Sequence, residues 1–113
     1  MKSIIIFIFS ALLSSAALAQ SDIKTDSFKV DGNCNMCKKR IEEAAYVRGV
    51  KRAEWNEATH MLTVIYRSSK TDEKTISQSV AKAGHSSDFT TAAEKDYNNL
   101  PDCCHYKTNT CSH

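Results

Sequence analysis

The chain has 113 residues, with 15 Lys and Arg against 13 Asp and Glu, and its formal net charge is +2. Such an even balance gives no electrostatic reason to expect nucleic acid or an anionic membrane surface as the main partner. The length allows one compact domain with a tail and excludes two domains of ordinary size.

Residues 1–19, "MKSIIIFIFSALLSSAALA", have the outline of a secretory signal peptide. Lys2 supplies an early positive charge, an apolar run follows, and the small residues Ala17 and Ala19 flank Leu18. A membrane anchor is the alternative, but the apolar run is well short of the roughly 20 residues that span a bilayer. We expect cleavage after Ala19, export across the inner membrane, a periplasmic location and no embedding in the membrane after cleavage.

A half-buried strand is predicted over 27–30, where Phe28 and Val30 alternate with polar residues. From 35 to 47 the period becomes helical, and Cys37, Ile41 and Ala44 share one face. Strands are predicted over 50–55 and 61–66, joined as a hairpin by the turn "NEAT". A second helix ends at Gly84, and a weak last strand is predicted over 86–91.

This order of elements, βαββαβ, predicts an α+β fold of the ferredoxin-like type. We expect a four-stranded antiparallel sheet with two helices on one face. The domain is placed at 23–91, and residues 92–113 form a tail rich in Cys and His. The tail holds the only proline and one or two predicted helical turns. Because it offers little apolar material to pack, we expect its order to come from something other than a core.

All five cysteines follow the predicted cleavage site, and their odd number means that disulfides alone cannot account for them. They are Cys34, Cys37, Cys103, Cys104 and Cys111. The first two are separated by two residues, with one in a loop and the other in the first turn of a helix. Two thiolates so placed can close on one soft ion. The helix N-terminus and Lys38 favour thiolate formation, which assists metal capture and redox reactivity alike.

Two other roles for the Cys34–Cys37 pair compete with metal binding. A disulfide oxidoreductase of the thioredoxin type usually has an aromatic residue before the first cysteine and a proline loop facing the pair. Here Asn33 precedes Cys34, and Pro101 is far along the chain. A structural disulfide would close too small a loop to stabilise the fold appreciably. Metal binding is therefore our first interpretation and thiol–disulfide exchange the second.

Residues 27–89 contain, in order, "VDGNCNMCKKRIEEA", "GVKRAEW", "HMLTVIY" and "AKAGH". This set of motifs resembles the heavy-metal-associated domain of copper chaperones, copper-transporting ATPases and the periplasmic mercury-binding protein. The resemblance implies a ferredoxin-like, non-enzymatic protein with Cys34 and Cys37 as paired metal ligands on an exposed loop. The expected cargo is Cu(I), with Hg(II), Zn(II) or another soft ion as the alternatives. Transfer to a membrane metal transporter or another metalloprotein would proceed by ligand exchange.

The sequence departs from the family pattern in the loop before Cys34. That loop is one residue shorter than usual and lacks the methionine that normally packs beneath it. Met36 could offer a thioether to Cu(I), but we interpret it as a partly exposed residue at the helix start. His85 falls in the loop that lies near the cysteine pair in this family. It is either a further ligand or neighbour of the metal, or an ordinary loop histidine.

The tail carries a second set of candidate ligands: Cys103, Cys104, His105, Cys111 and His113. These could bind an ion of their own or complete the first site if the tail folds back, and Zn(II) becomes a candidate if they supply four ligands. A disulfide among the tail cysteines is the alternative in an oxidising compartment. Side chains of adjacent residues diverge in an extended chain, so Cys103 and Cys104 are expected to serve different partners or to require a turn.

Overall fold

A computed structural model describes residues 22–108, and three of its strands form one antiparallel sheet in the order β1-β3-β2. The elements are β1 (Ile23–Lys29), α1 (Asn35–Ala45), β2 (Val50–Trp55), β3 (Met61–Arg67), α2 (Glu73–Lys82) and α3 (Glu94–Asn98), followed by a 3-10 helical turn (Asp102–Cys104). The predicted signal peptide, Cys111 and His113 lie outside the described residues. The α+β architecture agrees with the ferredoxin-like prediction.

Side-chain period explains how the sheet and helices share one core. Along β3 every second residue, Leu62, Val64 and Tyr66, is buried while the residues between them are half-buried. In α1 the buried residues are Cys37, Ile41 and Ala45, four positions apart and therefore on one face of the helix. Because Cys37 belongs to this face, its thiol points into the core.

The predicted fourth strand over 86–91 is reduced to a single bridge between Val30 and Ser87. Around that bridge, Asp31 N donates to Ser86 O at 2.8 Å and Asp88 N donates to Lys29 O at 3.2 Å. Beyond the bridge, the Ser87 hydroxyl accepts hydrogen bonds from the backbone N–H groups of Phe89 and Thr90, and this forms a local turn. Side-chain bonds of this kind compete with a strand ladder. The sheet of the described residues is therefore three-stranded, and the expectation of four strands is corrected here.

The loop between β1 and α1 is fixed from below by Trp55. The buried indole donates from Nε1 to Val30 O at 3.0 Å and to His60 O at 3.1 Å. A Cβ atom on Gly32 would lie 3.1 Å from both the Trp55 ring and Ile41 Cδ1, so the backbone passes closer to the core here than a larger residue would permit comfortably. This support holds the short loop that leads into Cys34.

His85 supports the same loop from the side. Its ring is fully buried, and Nδ1 lies 2.7 Å from Asp31 O, so that a proton on Nδ1 is donated to this carbonyl. Its ring also stacks on Tyr106 with 5.7 Å between centroids. Burial lowers the pKa of His85, and the positive charge of Arg40 acts in the same direction. The folded protein therefore favours the neutral form of the His85 imidazole.

The described part of the tail, residues 92–108, packs on the domain, contrary to the expectation that the tail lacked the apolar material to do so. Tyr97, Leu100 and Cys104 are all buried and join the core. Leu100 reaches the end of α2 at Gly84, where the backbone has a φ of +105°. A Cβ atom on Gly84 would come within 2.7 Å of Leu100 Cγ and 2.8 Å of Asp96 O. The glycine therefore permits the turn after α2 and leaves the space that the tail fills.

Gly84→Ala should destabilise the protein by about 2 kcal/mol or more, because alanine disfavours a positive φ and its methyl group would overlap Leu100. Thermal or denaturant unfolding measures the loss. The neighbouring Ala83→Gly is the matched control, since Ala83 has an ordinary φ of −78° and this change should cost only about 0.5–1 kcal/mol. Equal losses for the two variants would contradict the docking of the tail at Gly84.

His85→Asn should weaken the pH dependence of stability in the range below about pH 6.5, the ordinary pKa of histidine. Because the pKa of His85 is lower in the folded protein, the unfolded chain binds more protons as the pH falls through this range, and the free energy of unfolding decreases. Asparagine can keep a donor near Asp31 O but cannot titrate. Denaturant unfolding of the metal-free protein at several pH values tests this, and an unchanged slope in the variant would contradict it.

Candidate metal centre

Cys34 and Cys37 are placed by the start of α1. Cys34 occupies the N-cap position with extended backbone angles, φ −147° and ψ −173°, and its carbonyl accepts from Lys38 N at 2.9 Å. Its side chain makes no capping hydrogen bond. Cys37 lies three residues further on, in the first helical turn. The cysteine spacing therefore brings one sulfur from the loop and one from the helix toward the same end of the domain.

A third sulfur comes from the tail. The Sγ atoms of Cys34, Cys37 and Cys104 all lie within 4.8 Å of one another. The Cys37 and Cys104 sulfurs are 2.8 Å apart. Exposed fractions are 8% for Cys34 and 0% for Cys37 and Cys104. Within residues 22–108, this is the one cluster of three or more potential metal-binding side chains.

The size and chemistry of this cluster suit a soft metal ion. Thiolate bonds of about 2.3 Å place three sulfurs about 4 Å apart when an ion lies in their plane. The three cysteines are within that range, and Cys37 and Cys104 would separate by about 1 Å to admit an ion between them. Because no carboxylate or imidazole belongs to the cluster among the described residues, its donors are all sulfur, the set that soft ions prefer.

The cysteine pair is covered, which corrects the expectation of an exposed loop. Cys37 is completely buried because the turn of residues Asp102–Cys104 lies over the start of α1. The amide of Asn33 donates from Nδ2 to Cys103 O at 3.3 Å and joins the loop to that turn. Any exchange of metal with another protein must therefore involve displacement of the tail.

The oxidation state of the cluster is mixed. Cys34 is disulfide-bonded, whereas Cys37 and Cys104 carry thiols. A sulfur in a disulfide is a poor ligand, because metal binding requires the thiolate. Reduction of Cys34 must therefore precede any binding of a metal ion by all three sulfurs.

Burial raises the pKa of the Cys104 thiol, and its contact with Cys37 raises that pKa further. Both effects disfavour the thiolate form of Cys104, because the site excludes water and already holds the Cys37 thiol. In the metal-free protein Cys104 is therefore protonated at neutral pH. A cation brought into the cluster would reverse this balance and release the proton.

Among the described residues, the other predicted ligands, His85, Cys103 and His105, lie outside the three-sulfur cluster. His85 supports the loop through Asp31, as described above. The Cys103 sulfur lies 4.0 Å from the Cys104 sulfur and 3.4 Å from Met36 Sδ, but it is not one of the three sulfurs that all lie within 4.8 Å of one another. His105 packs against the ring of Tyr97, with 5.2 Å between centroids. Met36 is 51% exposed, as expected of a residue at the helix start.

Several residues that position the tail were not identified from the sequence. Tyr106 donates from its hydroxyl to Gly84 O at 2.8 Å and accepts from Ser86 N at 3.2 Å. Tyr97 packs edge to face on Tyr106 with 4.9 Å between ring centroids. The available signal was the pair of tyrosines flanking the tail cysteines in "YNNLPDCCHY", since aromatic residues commonly supply contact area where a segment lacks aliphatic ones.

Among the described residues, no helix is both long enough and apolar enough to cross a membrane.

The sequence matches no family model and no curated protein. Solved structures do match. A CopZ metallochaperone is 24% identical, with a TM-score of 0.55 and coverage of 57% of this chain and 98% of that one. Oxidised MerP from Ralstonia metallidurans CH34 is 25% identical, with a TM-score of 0.54 and coverage of 57% and 93%. A copper form of a CopA variant from Bacillus subtilis is 32% identical, with a TM-score of 0.52 and coverage of 59% and 91%.

The likeness to CopZ, at 24% identity, supports the fold alone. The match to the CopA variant combines higher identity with nearly complete coverage of the solved chain. The paired cysteines at the start of α1 and the ferredoxin-like order of elements agree with it. The chain belongs to the heavy-metal-associated domain family.

Proposed function

We propose that this protein is an exported carrier of a soft metal ion, with Cu(I) as its first cargo. It captures the ion through Cys34 and Cys37 and passes it to a membrane transporter or another metalloprotein. The observation that carries this proposal is the cluster of sulfur atoms within 4.8 Å of one another at the start of α1. The copper form of the CopA variant among the structural neighbours supports it.

The choice of ion follows from the donors. A set made only of sulfur favours Cu(I) and Hg(II) over harder ions. Zn(II) prefers four ligands, whereas the described cluster offers three. Cu(I) is therefore placed first, Hg(II) second and Zn(II) after them.

Export is supported by residues 1–19 and by the chemistry of the site. The positive, apolar and small-residue regions of this segment follow the order of a cleaved signal peptide. The disulfide at Cys34 suits an oxidising compartment such as the periplasm. A carrier in such a place must keep its thiolates reduced, and a bound metal ion protects them.

Transfer requires no catalytic residue. An incoming thiolate from the acceptor adds to the ion while one thiolate of this protein leaves, and the ion is held by sulfur throughout. The free energy of each step stays small because one metal–sulfur bond replaces another. The oxidation state of the metal does not change.

Thiol–disulfide exchange is the second candidate function, favoured by a disulfide at Cys34 beside the thiols of Cys37 and Cys104. A catalytic thiol of that kind must be accessible to its substrate. Cys37 is completely buried beneath the tail, which disfavours this role. Turnover of a disulfide substrate that disappears in Cys37→Ser would establish exchange as the activity.

The double variant Cys34→Ser, Cys37→Ser should lose Cu(I) affinity by about 100-fold or more, because outer partners of a metal site alone contribute 10- to 100-fold. Anaerobic titration of the reduced protein against a competing Cu(I) chelator measures the affinity, and native mass spectrometry counts the ions. Met36→Leu is the matched control, since it removes the sulfur between the two cysteines but should leave the affinity within a few fold. Tight one-to-one binding by the double variant would contradict the proposal.

A further inference from the structure

The C-terminal part of the described chain is fixed at several points. We call residues 97–107 the latch. Its Tyr106 hydroxyl bonds to the backbone of Gly84 and Ser86, after α2. Its Cys103 carbonyl accepts from Asn33, in the loop before α1. These contacts join the latch to both loops that border the cysteine pair.

The latch also has internal order. The backbone N–H of Lys107 donates to the Tyr97 hydroxyl at 3.1 Å, and the Lys107 ammonium lies 4.6 Å from the centre of the Tyr97 ring. Leu100 is buried against Gly84. A segment held by an aromatic pair, a buried leucine and several hydrogen bonds can place one side chain reproducibly.

The side chain so placed is Cys104. The 3-10 turn, in which Cys104 N donates to Pro101 O at 2.8 Å, directs the adjacent cysteines to different places. Cys104 points into the domain at Cys37, while the Cys103 sulfur, 4.0 Å from that of Cys104, lies against Met36 and outside the three-sulfur cluster. The sequence expectation that the two cysteines serve different partners or require a turn agrees with this arrangement.

Simple packing does not explain a cysteine at this position. The Cys104 sulfur lies within 4.8 Å of both the Cys34 and the Cys37 sulfur. An apolar side chain at this position would fill the same space without adding a third sulfur donor. Three sulfurs meeting in a space closed to solvent form instead the donor set of a three-coordinate thiolate site.

We propose that Cys104 is a third metal ligand and that the latch closes the site over the ion. This inference rests on the proposed function and adds to it how the ion is held and released. On binding to the reduced protein, the ion replaces the protons of three thiols. On release, an acceptor thiolate takes the place of Cys104, which is protonated again as the latch lifts.

The acceptor would therefore meet Cys104 first and the cysteine pair afterwards. The Tyr106 hydroxyl fixes the latch but does not bind the metal. Opening of the latch can therefore be altered without altering the metal ligands. Tyr106→Phe removes the bonds to Gly84 and Ser86 and leaves every sulfur in place. This variant should release the ion faster without changing its ligands.

X-ray absorption at the copper edge of the reduced, Cu(I)-loaded full chain tests the ligand assignment. We expect three sulfurs around copper in the wild type and two in Cys104→Ser. Cys103→Ser is the matched control, because it changes the adjacent sulfur in the same turn, and it should keep three. Circular dichroism of each variant checks that it is folded. Two sulfurs in the wild type, or loss of a sulfur in Cys103→Ser instead, would overturn the inference.

Release to a competing Cu(I) chelator, followed by stopped flow, tests the latch. Cys104→Ser and Tyr106→Phe should both speed release by about 10-fold or more, while Cys103→Ser should change it by less than about 3-fold. Equal rates for wild type and Tyr106→Phe would overturn the role of the latch. Failure of the proposed function would look different, since the wild type would then bind no copper tightly at all.

Discussion

Three sulfur atoms from distant parts of the chain meet only if the loop before α1, the first turn of α1 and the tail are all held in place. Trp55 and His85 fix the loop through the Val30 and Asp31 carbonyls. The core face of α1 fixes Cys37. The tail is fixed where Leu100 and Tyr106 meet the turn at Gly84. The approach of Cys104 to Cys37 depends on all of these contacts together.

Closing a metal site has a chemical benefit and a kinetic cost. Attraction between a cation and thiolates is stronger in a dry site than in water, and exclusion of solvent protects sulfur from oxidants. Exchange with another protein becomes slower, because the covering segment must move before an incoming thiolate can reach the ion. The latch can open without unfolding of the sheet, since its hydrogen bonds go to the loops at Asn33, Gly84 and Ser86 and not to the strand ladder.

Much of the domain was predictable because its signals are local. Alternation of Leu62, Val64 and Tyr66 predicted β3, and the helical period that includes Cys37 and Ile41 predicted α1. The fourth strand was overestimated because the Ser87 hydroxyl forms a local turn that competes with a strand ladder. Strand propensity alone does not take into account the competition between this side-chain hydrogen bond and the strand ladder.

The candidate site was predictable in part. The spacing of Cys34 and Cys37 identified the pair, and the tail cysteines were recognised as candidate ligands that could complete it. Which of them reaches the pair could not be deduced, because this depends on a turn at Cys104 and on the fit of Leu100 beside Gly84. The burial of the pair was missed for the same reason. Contacts between residues about 70 positions apart leave no periodic signal in the sequence.

The most direct test of the account is a crystal structure of the reduced, Cu(I)-loaded protein with anomalous scattering data collected at the copper edge. The account predicts one copper peak about 2.3 Å from each of the Cys34, Cys37 and Cys104 sulfurs, with the tail closed over it. A peak held by Cys34 and Cys37 alone, with the tail displaced, would contradict the three-sulfur site. A peak elsewhere in the molecule would contradict the proposed carrier function as well.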